Sequence, residues 1–191
     1  MKTEITSKDY KDIYEACDWN PIVFSKALKA LGYLDELIVT GNLDLEGTPI
    51  QYLRNLKTVG GTLDLEGTPI QSLGNLKEVG GGLNLNGTPI QSLGNLQTVG
   101  ISLDLDGSHI QSLGNLQTVG NFLYLRGTPI QDLGNLQTVG IGLDLDGSHI
   151  QSLGNLQKVG GPLYLRWTPL SKKYSEEEIR QMVNVEGHIY I

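Results

Sequence analysis

A single cysteine, a shortage of basic residues and the lack of any long apolar run exclude several protein classes. Cys17 alone permits no intramolecular disulfide, and a reducing compartment is the natural home of such a chain. Fourteen Lys and Arg against 21 Asp and Glu leave a net charge of −7, the wrong sign for binding nucleic acid through a basic face. No stretch approaches the roughly 18 apolar residues of a membrane span. The N-terminal MKTEITSKDYKDIYEAC carries no apolar run behind its lysine, so no secretory signal is expected. A cytoplasmic protein that engages neither a membrane nor nucleic acid directly is the expectation. Hydrophobic content of 39% and charged content of 18% are low for a globule, whereas 25 glycines are an excess.

A repeat accounts for that excess. The twenty-residue unit G-x-L-x-L-x-G-T-P-I-Q-x-L-G-N-L-x-x-V-G runs six times without insertion from Gly41 to Gly160, and a seventh copy breaks off after Leu170. Such a fixed short period specifies a stacked solenoid, because one unit cannot bury its apolar side chains alone but neighbours can. Leu43 and Leu45 alternate to one side of a short strand. With Ile50, Leu53, Leu56 and Val59 they make six inward positions per turn. The Gly60 and Gly47 series allow bends that a β-carbon would obstruct. The Gln51 and Asn55 series barely change, and side-chain ladders satisfying loop backbone groups are expected there.

The ends depart from the unit. Residues 1–38 read as a helical N-terminal cap. Ser7 is expected to cap a helix through about Cys17 that carries Tyr10, Ile13 and Cys17 at helical spacing. Asn20-Pro21 restarts a helix whose stripe is Phe24, Leu28 and Leu31. Residues 39–170 form the solenoid. Residues 171–191 read as a capping helix started by the Ser175–Glu178 capping box, then a final strand. Val185-Glu-Gly-His-Ile189-Tyr-Ile191 reproduces the spacing of Val159-Gly-Gly-Pro-Leu163-Tyr-Leu165, so an eighth strand is predicted behind the broken repeat.

The segment Leu83-Asn-Leu85-Asn-Gly-Thr88-Pro-Ile90 resembles the leucine-rich-repeat core, with Thr88 where that family has asparagine. The upstream Val79-x-Gly-x-Leu83-x-Leu85 resembles the turn of receptor L domains. The resemblance implies a repeat solenoid with a parallel sheet of about eight short strands. The unit is too short for a convex helix, so an outer wall that is extended or contains short helical turns is expected. Thr88 and Thr68 are expected to form a hydroxyl ladder. The resemblance also implies binding of other proteins through the sheet face, as is general among proteins similar to this one.

Variation among the copies falls mainly on outward strand positions. Asp44, Glu46, Asp64 and Glu66 form an acidic group in the first two rungs. Like charges on rungs about 4.8 Å apart repel by roughly 1 kcal/mol even in water. The group reads either as solubilising surface or as a site for basic groups or a cation. Asp106, Arg126, Asp146 and Arg166 alternate in sign and predict an ion-pair ladder. Phe122, Tyr124, Tyr164, Trp167 and Tyr190 surround it. Aromatics with arginine are the composition of interaction hot spots, and cross-strand ring stacking is the structural alternative.

Chemistry-bearing motifs are lacking. His109 and His149 lie two rungs apart with Pro129 between them, too far to share a zinc ion. No phosphate-binding loop and no nucleophile–base pairing emerges. The expectation is therefore a non-enzymatic module with no cofactor and no metal, recognising a protein partner through the sheet face. Phe122, Tyr124, Arg126, Tyr164, Arg166 and Tyr190 would anchor that partner, and Asp44, Glu46, Asp64 and Glu66 would steer it. An acidic nucleic-acid mimic that inhibits a DNA- or RNA-binding protein is the alternative, as is a structural scaffold that self-assembles through the same face.

Overall fold

The computed structural model describes residues 2–53 and 55–191. The chain opens on strand β1 (Lys2–Ile5), helices α1 (Ser7–Ala16) and α2 (Pro21–Ala30), and strand β2 (Tyr33–Val39). The sequence predicted neither strand. β1 pairs in parallel with β2, and β2 pairs with Leu56–Val59 of the first rung. The cap therefore continues a solenoid sheet across the 38/39 boundary rather than sitting on it as helices alone. Thr6, not Ser7, caps α1, its Oγ1 accepting from Asp9 N at 3.0 Å. The Ser7 hydroxyl instead donates to the Asn42 carbonyl, tying the cap to the first rung.

Asn20 caps α2 and Pro21 opens it, as its residue types dictate. Phe24 and Leu28 are buried, but Leu31 lies at the C-cap and is 52% exposed, so the predicted stripe is one residue too long. Beneath it Tyr10, Tyr14, Phe24 and Trp19 form an aromatic cluster, with Tyr14 and Phe24 centroids 4.1 Å apart, edge to face. The Tyr14 hydroxyl donates to the Tyr52 carbonyl at 3.0 Å, and Ser25 Oγ to Asn55 Oδ1 at 2.9 Å. These contacts cover the end of the repeat, whose first rung would otherwise present apolar core and strand edges to other chains.

From residue 39 the described residues form a β-solenoid with two parallel sheets. One has eight strands: Leu43–Asp44, Leu63–Asp64, Leu83–Asn84, Leu103–Asp104, Phe122–Tyr124, Gly142–Asp144, Leu163–Tyr164 and Ile189–Tyr190. The other has nine, running from β1 and β2 through the Leu56–Val59 strand and its equivalents to Asn184–Val185. This second sheet is the extended outer wall. Isolated bridges such as Ser92↔Ser112 join the third side. Between complete copies the register is one repeat, as in Leu63↔Leu83 and Val79↔Val99. The six inward positions are buried in every complete copy. Burying one such side chain is worth about 1.5–3 kcal/mol, and only stacking on neighbours achieves it.

Two glycine columns serve different ends. A Cβ on Gly140 would overlap the carbonyl oxygen of Gly120 one rung earlier, and the same holds along the Gly60 series. Those glycines permit close backbone stacking. The Gly47 series instead has open space around it and φ between +63° and +69°. The predicted threonine ladder is not formed. Thr68 Oγ1 donates within its own turn to the Leu65 carbonyl at 2.7 Å, as do Thr48, Thr88, Thr128 and Thr168 in theirs. The turn carbonyl three residues back takes the hydroxyl proton that a ladder would have used. Asn95 and Asn135 do bond loop carbonyls, through Nδ2 to Gly74 O and Gly114 O. Among the described residues the Gln column makes no such ladder. Its side chains are exposed, and the backbone carries the contact between rungs, as from Gln71 N to Gln51 O at 2.9 Å.

At the far end α3 (Pro169–Lys173), which the sequence did not predict, and α4 (Glu176–Met182) replace the loop segment of a rung. Ser175 and Glu178 form the expected capping box, and Ile179 is buried against the core. The predicted eighth strand is present, with Leu163↔Ile189 and Tyr164↔Tyr190 in register. Arg180 holds the return by donating to the Val185 and Gly187 carbonyls. Among the described residues no helix is long and apolar enough to cross a membrane.

Candidate functional site on the eight-stranded sheet

The acidic residues between the leucines have a local task. Oδ1 of Asp44, Asp64, Asn84, Asp104 and Asp144 accepts, at 3.0–3.1 Å, from the backbone N–H two residues on. This side-chain turn satisfies the backbone where the strand ends. Tyr124 and Tyr164 cannot make it. In their rungs the orphaned N–H groups of Arg126 and Arg166 are taken by Asp106 Oδ1 at 2.7 Å and Asp146 Oδ1 at 2.8 Å, each from one rung earlier. A Tyr-x-Arg rung is thus supported by the Asp-x-Asp rung before it, and the arrangement occurs twice.

Asp44, Glu46, Asp64 and Glu66 do assemble at the first two rungs, with Asp44 and Asp64 in register. Asp44, Glu46 and Glu66 are exposed and Asp64 is half-buried. Glu66 Oε2 accepts from Asn84 Nδ2 at 2.9 Å.

The aromatic residues fall into two groups rather than one. Phe122 stacks on Tyr124 within its strand, centroids 5.7 Å apart. The Phe122 ring leans over Gly142, where a Cβ would come within 2.8 Å of Cε1, so the missing side chain of the next rung accommodates the outward Phe. Tyr164 stacks on Tyr190 across rungs at 4.7 Å and nearly parallel. Asp144 separates the groups, in register with Tyr124 on one side and Tyr164 on the other. Of the predicted alternating ladder the Asp146–Arg166 pair forms, whereas Arg126 turns to Asp144 instead. Arg126 Nε approaches Asp144 Oδ2 at 3.5 Å, and Arg166 Nε meets Asp146 Oδ2 at 3.0 Å. Asp106 engages the backbone of Arg126 instead.

Around Tyr124 the packing perturbs titration. Burial raises the Asp106 and Asp144 carboxyls above the usual range, more than their hydrogen bonds lower them. Burial, then the charges of Asp104, Asp106 and Asp144, raise the Tyr124 phenol. Tyr124 also walls a shallow cleft floored by Gly82 and lined by Thr62, Asn84, Ser102 and Asp104. The sequence reading did not bring Asp104 and Asp144 to this site. The signal for them was the register of the copies, which places both beside Tyr124.

Trp167 is the feature whose weight the sequence understated. It stands where six other copies have glycine, adopts φ +61°, and is 74% exposed. A bulky residue in the left-handed region costs about 1–3 kcal/mol, and little burial offsets it here. The contrast of Arg166-Trp-Thr-Pro with Arg126-Gly-Thr-Pro is its sequence signature. Trp167, Tyr164 and Tyr190 surround the Arg166 guanidinium, with Cζ 5.7, 5.6 and 5.5 Å from their centroids. His109 and His149 line separate grooves beside Pro89 and Pro129 on another side of the solenoid. Comparison with family models, with curated proteins and with solved structures returns no match.

Proposed function

We propose that the protein is a non-enzymatic recognition module that binds a protein partner through its eight-stranded sheet face. One observation carries this reading. The fold has its own way of closing each strand, an Asp or Asn turn, and two rungs abandon it for Tyr124-x-Arg126 and Tyr164-x-Arg166. Asp106 and Asp146 then satisfy the backbone groups left behind. The strands that keep that turn close without a tyrosine or an arginine, which supports reading these residues as answering to something outside the chain. Half-buried to exposed rings with arginine on a rigid sheet match the residues that dominate binding at protein interfaces.

Phe122, Tyr124, Arg126, Tyr164, Arg166 and Tyr190 anchor the partner in this reading. The turn made by Asp44 and Asp64 gives those carboxylates a structural role, which leaves steering of basic groups chiefly to Glu46 and Glu66. Affinity capture from native extract with wild type and with Tyr124→Ala/Arg126→Ala tests the proposal. The double variant is expected to lose a partner that wild type retains. Identical partner sets on both baits would count against it.

A further inference from the structure

Among the arginines of the sheet face, Arg166 is held ready for an anion. Its Nε donates to Asp146 Oδ2 at 3.0 Å, and three rings surround its Cζ at 5.5–5.7 Å. Its Nη1 and Nη2 have no hydrogen-bond acceptor among the described residues. Arg180 provides the contrast, with Nε and both Nη atoms engaged by Glu176, Val185 and Gly187. An arginine fixed along one edge, with its fork open and walled by rings, matches a planar acceptor with two oxygens.

Resting on the recognition reading above, we infer that Arg166 and Trp167 form a subsite for a carboxylate side chain on an acidic segment of the partner. The Nη edge takes the two carboxylate oxygens, while Trp167 and Tyr190 screen the pair from water. Asp146 beneath the guanidinium sets the preferred charge. It repels a doubly charged phosphate more than a singly charged carboxylate. Trp167 is the wall that the fold does not require. Six copies close the same turn with glycine at a similar φ, so the ring stands at a strained position, its centroid 5.7 Å from Arg166 Cζ.

The probes are three short peptides that differ at one residue: glutamate, glutamine or phosphoserine between glycines. Binding is read by NMR at physiological ionic strength from the Trp167 indole and the Arg166 Nε–H. The two tryptophan indoles are told apart with Trp167→Gly. The glutamate peptide is expected to shift both Trp167 and Arg166 signals, and the glutamine peptide to bind roughly tenfold more weakly or worse, as loss of a charge-assisted contact implies. Arg166→Lys keeps the charge but not the fork and is expected to weaken binding. Trp167→Gly is expected to do the same, read at Arg166, with a melting temperature unchanged or higher. Equal binding of the glutamate and glutamine peptides would overturn the inference, as would tighter binding of the phosphoserine peptide or full binding by both variants. Should that occur while Tyr124→Ala/Arg126→Ala still loses the captured partner, the carboxylate subsite fails and protein recognition stands.

Discussion

Asp146 accepts two hydrogen bonds from Arg166, one rung later: the backbone N–H at 2.8 Å through Oδ1 and Nε at 3.0 Å through Oδ2. The Asp146 side chain is only 4% exposed. One carboxylate thus closes a turn that Tyr164 cannot close and orients the arginine beside it. Asp106 does half as much for Arg126, bonding its backbone alone.

Removing that carboxylate leaves a backbone donor without its acceptor and a guanidinium without its pair. Asp146→Ala is expected to lower unfolding free energy by about 2–3 kcal/mol, measured by urea denaturation. Asp64→Ala, which loses one bond of a half-exposed turn, is expected to cost about 1 kcal/mol or less. Equal losses would contradict the double role of Asp146.

The glycine columns predict opposite responses to a methyl group. Gly140→Ala meets the Gly120 carbonyl and is expected to cost about 3 kcal/mol or to prevent folding. Gly127→Ala has open space but φ +65°, and about 1 kcal/mol is expected from the backbone alone. Trp167→Gly relieves the same backbone and should not lower the melting temperature. A large loss there would show that the ring stabilises the fold.

Ser108 and Ser148 are buried, and their Oγ atoms have no hydrogen-bond partner among the described residues, whereas threonine at the equivalent positions bonds the carbonyl three residues back. Ser148→Thr should restore that bond and is expected to add about 1 kcal/mol. Thermal melts of Ser148→Thr against wild type decide the matter.

Acidity offers another check. Burial raises the Asp106 carboxyl in the folded state, with Asp104 and Asp144 adding to it. Folding therefore favours its protonated form. The favourable contribution is present below the unfolded pKa and is lost as pH rises through the folded one. Asp106→Asn keeps an acceptor for Arg126 N, and Asn86 already stands at an equivalent position. The variant is expected to resist urea better than wild type at neutral pH. Its advantage should shrink as pH falls through the carboxylate range, and an advantage that grew on acidification would refute the assignment.

Legibility varied with the kind of contact. The paired leucines, Ile50, Leu53, Leu56 and Val59 were readable because burial depends on alternation and stacking, which one unit displays. The strand at Ile189–Tyr190 was readable because its spacing repeats that of Leu163–Tyr164. Thr6 was missed as the cap of α1 because Thr6 and Ser7 both have the chemistry, and only contact with Asn42 separates them. Leu31 fits the helical stripe but lies at the helix end, beyond the surface that α2 covers.

Residue type and period by themselves determined the solenoid, its buried columns, its glycine bends and the list of outward residues. They could do so because all copies share one register. The tertiary structure decided which outward groups meet: that Asp106 serves the backbone of Arg126, that Asp144 divides the aromatics, and that Trp167 holds a left-handed backbone beside Arg166. Burial follows from the pattern within a unit, whereas these pairings depend on side-chain rotamers and backbone angles across neighbouring rungs, which a pattern of residue types does not specify.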